Sequence, residues 1–160
     1  MLVWHKDYAL GVERLDVEHV VLVGLLNQLH INLGEERSAD VVDPVLRALL
    51  TYTDYHFRAE EYAMDGHDYP GFAAHRAAHA RIGDQVLDLQ RRFAASGDHD
   101  LAREVRRLMA GWLFEHIARI DGAYGRWLRD QSAAPVMPAL VAVPFARPLS
   151  GFENTGRAVA

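Results

Sequence analysis

Cysteine is absent from the 160 residues. That excludes disulfides, thiolate metal ligands and a cysteine nucleophile. An excess of positive charge is also missing: the formal net charge is -5, and no basic stripe offers itself to nucleic acid or an acidic membrane surface. No run reaches the roughly 18 apolar residues of a membrane span. The opening "MLVWHKDYALGVERLD" has no apolar stretch after a basic start, so it does not read as a signal peptide. A cytoplasmic location is the resulting expectation. Proline is scarce until the end: four of the six fall in "SAAPVMPALVAVPFARPLSGFENTG". Half of the residues are apolar, enough for one domain with a real core.

What is present is helical periodicity, apolar residues recurring every three or four positions. The first such segment runs from Asp16, a candidate N-cap, to Leu33, with His19, Leu22, Leu26 and Leu29 on its stripe. The second opens at Asp43-Pro44 and carries Leu46, Leu49, Thr53, His56, Glu60 and Met64. The third opens at Pro70 and carries Phe72, His75, His79, Ile82, Val86, Leu89 and Phe93. The fourth, capped by Asp98 or Asp100, carries Leu101, Val105, Leu108, Trp112, His116, Ile120, Tyr124 and Trp127. No segment reads as a convincing strand, although "VVLV" is β-prone. Short connections favour antiparallel neighbours. The expected fold is all-α: an up-down-up-down antiparallel four-helix bundle over residues 1–130, with an N-terminal arm, followed by a Pro-rich tail over 131–160.

Each stripe holds histidine or carboxylate where leucine belongs. In antiparallel helices the start of one and the end of the next lie at the same end. At about 1.5 Å of rise per residue, His19, His56, Glu60, His75, His79, His116 and Asp121 fall within a slab about 15 Å thick. Burying such groups without partners costs several kcal/mol for each charged group. A metal site accounts for them, since imidazole and carboxylate suit iron, zinc or manganese, and bundle cores are where such sites are built. Five histidines and two carboxylates exceed the needs of one six-coordinate ion. Two ions sharing both carboxylates and a solvent-derived bridge would leave one ion with an open position. Asp121 fits least well: five residues after His116 it stands about 140° around an ideal helix. A local bulge, eased by Gly122 and Gly125, would correct this.

The motifs "LDVEHVVLVGLLNQL", "HFRAEEYAM", "YPGFAAHRAAH" and "WLFEHIARIDGAY" resemble those of hemerythrins, specifically the bacterial single-domain type, over about residues 4 to 128. The resemblance implies two non-heme iron ions, bridged by an oxo or hydroxo group, that bind O2 reversibly. It implies His75, His79 and His116 on the filled iron, His19 and His56 on the iron with the open site, and Glu60 and Asp121 between them. The leading function is then oxygen carriage, storage or delivery, without catalysis. The alternatives are an O2 or redox sensor acting through a protein partner, with the C-terminal tail as output; a di-iron peroxidase or nitric oxide-reducing enzyme; and an iron buffer.

Other residues take plainer roles. Glu61 is expected to face solvent, as are His5, His67 and His99 in the arm or the breaks. His30 stands about 16 Å above His19, too far to join it. Trp112 and Trp127 read as core. Trp4 and Tyr8 are expected to fold the arm over the metal end of the bundle. If Ala118, between the last two motif positions, lines the O2 pocket, that pocket is roomier than one lined by a larger aliphatic side chain.

Overall fold

A computed structural model describes residues 1–131; the expected Pro-rich tail lies outside the described residues. A short 3-10 turn (Lys6–Tyr8) is followed by α1 (Glu13–Gly34), α2 (Ala39–Gly66), α3 (Phe72–Ser96) and α4 (His99–Glu115). A π turn (His116–Asp121) continues α4 without a break into α5 (Gly122–Gln131). The described residues contain no strand, and the β-prone "VVLV" lies inside α1. Helix α1 packs on α2, α2 on α3, α3 on α4, and α4 back on α1, which closes the bundle.

Two helix starts differ from the sequence reading by the residues that begin them. Helix α1 begins at Glu13 after Val12, which offers no side-chain cap. Asp16 lies inside the first turns, and its carboxylate reaches back to accept from the Leu10 N–H (2.7 Å) and the Gly11 N–H (3.1 Å). It ties down the arm rather than capping the helix. Helix α2 begins at Ala39, one turn before the expected cap, so Pro44 falls within it. Proline there removes one backbone hydrogen bond. Val42 is fully buried, and that burial favours the extra turn. The third start is close to expectation, at Phe72 rather than Pro70, with Pro70 and Gly71 in the turn that leads in. Asp98 rather than Asp100 caps α4, accepting from the Asp100 N–H at 2.9 Å.

The apolar interior is divided. A large cluster includes Leu22, Leu26, Leu49, Phe57, Ile82, Phe93, Met109, Leu113 and Ile117. A smaller one gathers Leu10, Val12, Leu15, Ala59, Ala63, Met64 and Tyr124. On α1, His19 stands between Leu15 of the small cluster and Leu22 of the large one. On the fourth rod, His116 and Asp121 fall between Leu113 and Tyr124. The polar slab thus lies between two dry layers, each buried Leu or Phe contributing about 1.5–3 kcal/mol.

Candidate metal centre

The seven stripe residues His19, His56, Glu60, His75, His79, His116 and Asp121 are all buried. Helix α1 supplies one of them, α2 two, α3 two and the π turn two. The π turn resolves the poor spacing of the last pair. Its i→i+5 bonding adds one residue per turn, so positions five apart share a face. His116 Nε2 therefore stands 2.9 Å from Asp121 Oδ1. The two glycines expected to ease the bulge divide the work. The Gly122 N–H bonds back to the Ile117 carbonyl, and a Cβ on Gly122 would meet that same oxygen at 3.3 Å. Gly125 serves the arm instead: a Cβ there would meet the Leu10 carbonyl oxygen at 2.9 Å.

The donors form two sets. Glu60, His75, His79, His116 and Asp121 have ligand-type atoms all within 4.8 Å of one another, as do His19, His56 and Glu60. Glu60 belongs to both sets. Its Oε2 lies 3.2 Å from His75 Nε2, 3.4 Å from His79 Nε2 and 3.9 Å from His56 Nε2. Asp121 also faces both ways, with Oδ1 3.4 Å from His75 Nε2 and Oδ2 3.4 Å from His19 Nε2. Three imidazoles thus gather on one side of the two carboxylates and two on the other.

The spacing suits a cation. The Nε2 atoms of His75, His79 and His116 are 3.0, 3.0 and 3.3 Å apart. An octahedral ion with metal–nitrogen bonds of about 2.1 Å places three facial nitrogens about 3.0 Å from each other. Both ring nitrogens of His19, Glu60 Oε1 and both Asp121 oxygens are buried without a hydrogen-bond partner in the protein. Such orphans are costly. A cation at the centre of each set would engage the inward-facing ones. Burial alone would raise the Glu60 pKa, but the adjacent imidazoles of His75 and His79, at 3.2 and 3.4 Å, outweigh it and hold the carboxyl well below its ordinary range. Asp121 is also held low: burial and the repulsion of Glu60 would raise it, and the imidazoles of His116 and His19, at 2.9 and 3.4 Å, outweigh them.

Further contacts set the imidazole planes and tautomers. Phe57 stacks on His79 at 3.7 Å and Trp112 on His116 at 4.2 Å, so Trp112 belongs to the wall of the centre. Glu61 does not face solvent as expected. It is half-buried and accepts from His79 Nδ1 at 3.0 Å. A buried carboxylate that sequence reasoning passes over, Glu18, accepts from His56 Nδ1 at 3.0 Å and from Arg14 Nε at 3.0 Å. With Nδ1–H committed to a carboxylate, the Nε2 lone pair is aimed inward. The signal for Glu18 is the i,i+4 pair with Arg14 beside the stripe residue His19.

Other positions are corrected or located. Ala118 is exposed; the residue buried beside His116 is Ile117. His67 is half-buried, and its Nδ1 lies 2.6 Å from the buried Tyr124 hydroxyl. His99 is half-buried near Phe93, and His5 is exposed. Trp4 and Tyr8 are half-buried over the set of His19 and His56, Trp4 lying 5.7 Å from the His19 ring and Tyr8 4.9 Å from Phe114. The arm is clamped at its start by a reciprocal pair: the Leu2 N–H donates to Asn27 (2.7 Å), and the Asn27 amide donates to the Leu2 carbonyl (2.9 Å).

Fold and site together define a metal-binding four-helix bundle whose donors are histidine and shared carboxylate. Known proteins sharpen this. The hemerythrin HHE cation binding domain matches residues 10–128, and the chain belongs to the hemerythrin family. It is 34% identical over 125 residues to a bacteriohemerythrin of Stenotrophomonas maltophilia, covering 78% of this chain and 79% of that one. It is 30% identical over 119 residues to a bacteriohemerythrin of Methylococcus capsulatus, covering 74% and 89%. A crystal structure of wild-type hemerythrin superposes with a TM-score of 0.70 at 30% identity, covering 79% of this chain and 96% of that one. No helix among the described residues is long and apolar enough to cross a membrane.

Proposed function

We infer that this chain is a non-heme di-iron protein that binds O2 reversibly, and that it serves in carriage, storage or delivery of oxygen rather than in catalysis. The observation that carries this is the uneven division of imidazoles about two shared carboxylates, three against two. Bound there, the two ions supply the redox and ligand-binding chemistry that O2 needs. We assign His75, His79 and His116 to the fuller site, His19 and His56 to the site with an open position, and Glu60 and Asp121 to both.

The chain's own residues do the rest. Glu18 and Glu61 hold two of the imidazoles in the tautomer that presents Nε2 inward. Phe57, Trp112, Leu22 and Ile117 pack around the centre and keep water out. Trp4 and Tyr8 cover the side of His19. Exclusion of water favours a reversible adduct, because proton leakage and side reactions are suppressed. Five neutral imidazoles hold the ions without adding negative charge that would drive bound O2 onward. The hemerythrin match ends at residue 128, which supports a division into a bundle over 1–130 and an appended tail over 131–160.

The test is anaerobic loading with Fe(II), iron counting, and visible spectra through cycles of O2 and argon. Two irons per chain and a colour that appears and bleaches repeatedly are expected. Two irons that oxidise at once, with no reversible adduct, would overturn the carrier reading.

A further inference from the structure

Beyond Asp121, a buried tyrosine starts a line of aromatic rings that ends at the surface. Tyr124 is fully buried in the small apolar cluster, one helical turn (about 5 Å along the axis) past Asp121. Its ring centroid is 5.1 Å from Tyr69 and 6.3 Å from Trp127, and Tyr69 is 5.3 Å from Trp127. Tyr69 and Trp127 are half-exposed. The Tyr124 hydroxyl meets His67 Nδ1 at 2.6 Å, and His67 is itself half-exposed. A buried phenol usually finds a partner. Here the partner is an imidazole that touches both the phenol and solvent.

We propose that Tyr124 and His67 form a proton-coupled electron relay that discharges oxidising equivalents left on the metal centre by hydrogen peroxide. The proposal rests on the di-iron reading above. In each one-electron step Tyr124 gives an electron to the oxidised centre, its O–H bond breaks, and the proton moves to His67 Nδ1. The product is a neutral tyrosyl radical beside an imidazolium. An electron from Tyr69 or Trp127 then refills Tyr124, His67 returns the proton, the donating ring gives its own proton to solvent at the surface, and the centre takes one proton from solvent toward water. A soluble donor of one electron and one proton, of the ascorbate or hydroquinone class, restores the surface ring. Two such steps balance one peroxide: its O–O bond breaks, two donor molecules (AH) are each oxidised by one electron, and two waters form, H2O2 + 2 AH → 2 H2O + 2 A•. His67 is the residue that makes the buried phenol oxidisable, since it keeps the proton within one hydrogen bond.

The test mixes the iron-loaded full chain with hydrogen peroxide, freezes it within milliseconds to seconds, and reads electron paramagnetic resonance. A tyrosyl signal is expected in the wild type and absent in Tyr124→Phe, which removes only the hydroxyl. His67→Gln is expected to cut the signal several-fold while Tyr124 remains. Replacing the exit rings, Tyr69→Phe with Trp127→Phe, is expected to prolong the Tyr124 radical several-fold in the presence of ascorbate. The relay is overturned if the wild type holds two irons and consumes peroxide without a protein radical. It is equally overturned if Tyr124→Phe keeps the full tyrosyl signal. A wild type that does not hold two irons is identified by the metal count alone; it refutes the di-iron reading, and the relay with it.

Discussion

Replacing Glu18 by glutamine is predicted to weaken one metal site and spare the other. Glu18 Oε2 accepts from His56 Nδ1 and Oε1 accepts from Arg14 Nε, each at 3.0 Å. A carboxylate satisfies two donors at once; an amide of the same shape does not. If the new amide oxygen turns to His56, its NH2 faces the guanidinium, donor against donor. If it turns to Arg14, His56 Nδ1–H faces a donor and the ring is pushed from its tautomer. Arg14 also donates to the Tyr55 hydroxyl at 2.8 Å, so it has one geometry to lose. Outer carboxylates of this kind are worth about 10–100-fold in metal affinity, or about 1.4–2.7 kcal/mol. The assay is iron release to a chelator. In Glu18→Gln one iron per chain is expected to leave about 10–100-fold faster than in the wild type, while the second leaves at the wild-type rate. Glu61→Gln, acting on His79, is expected to mirror this at the three-imidazole site. If Glu18→Gln releases both irons together, or neither faster, the separation into two sites with one oriented imidazole each is wrong.

Three other outcomes follow from the same geometry. Gly125→Ala forces a Cβ to 2.9 Å from the Leu10 carbonyl oxygen and 3.3 Å from its Cα. It should cost about 1–3 kcal/mol, read as a lower urea midpoint, and should speed proteolysis within residues 1–11; an unchanged midpoint and cleavage rate would count against arm docking. Trp4→Ala removes the ring 5.7 Å from His19 and should hasten bleaching of the O2 adduct in air with iron content unchanged; an equal bleaching rate would show that the arm is no shield. In the metal-free protein Glu60 and Asp121 are held below their ordinary range. Their contribution to stability is therefore complete above the unfolded carboxylate pKa values of about 3.9–4.3. It is lost as pH falls through the lower folded values, so the urea midpoint should drop as pH falls below about 4.

The four rods and six of the seven inward polar residues are legible in the sequence because helix periodicity and burial are the same pattern seen twice; Asp121 is inward only through the π turn. Leu22, Leu26, Leu29 and Leu33 follow His19 on a stripe that the structure buries. Where the reading fails, the cause is an interaction between segments distant in sequence or a local change of helix type. Glu61 sits about 100° from Glu60, which reads as outward, yet its side chain spans to His79 on α3. His67 lies in a turn, where exposure is the default, but Tyr124, 57 positions away, reaches it. Ala118 is exposed, within the π turn from His116 to Asp121 that shifts every position after it. Pro44 invites a helix start, and burial of Val42 ahead of it overrides that signal.

The imidazoles divide three against two about Glu60 and Asp121, and that division can be tested on the iron-loaded chain. Its most direct test is the Mössbauer spectrum of the chain loaded anaerobically with iron-57. Two ferrous doublets of equal area with distinct quadrupole splittings are predicted, and addition of O2 should convert both while reversal under argon restores them. A single doublet from equivalent irons after O2 is added, or a spectrum accounting for only one iron per chain, would rule out the uneven division.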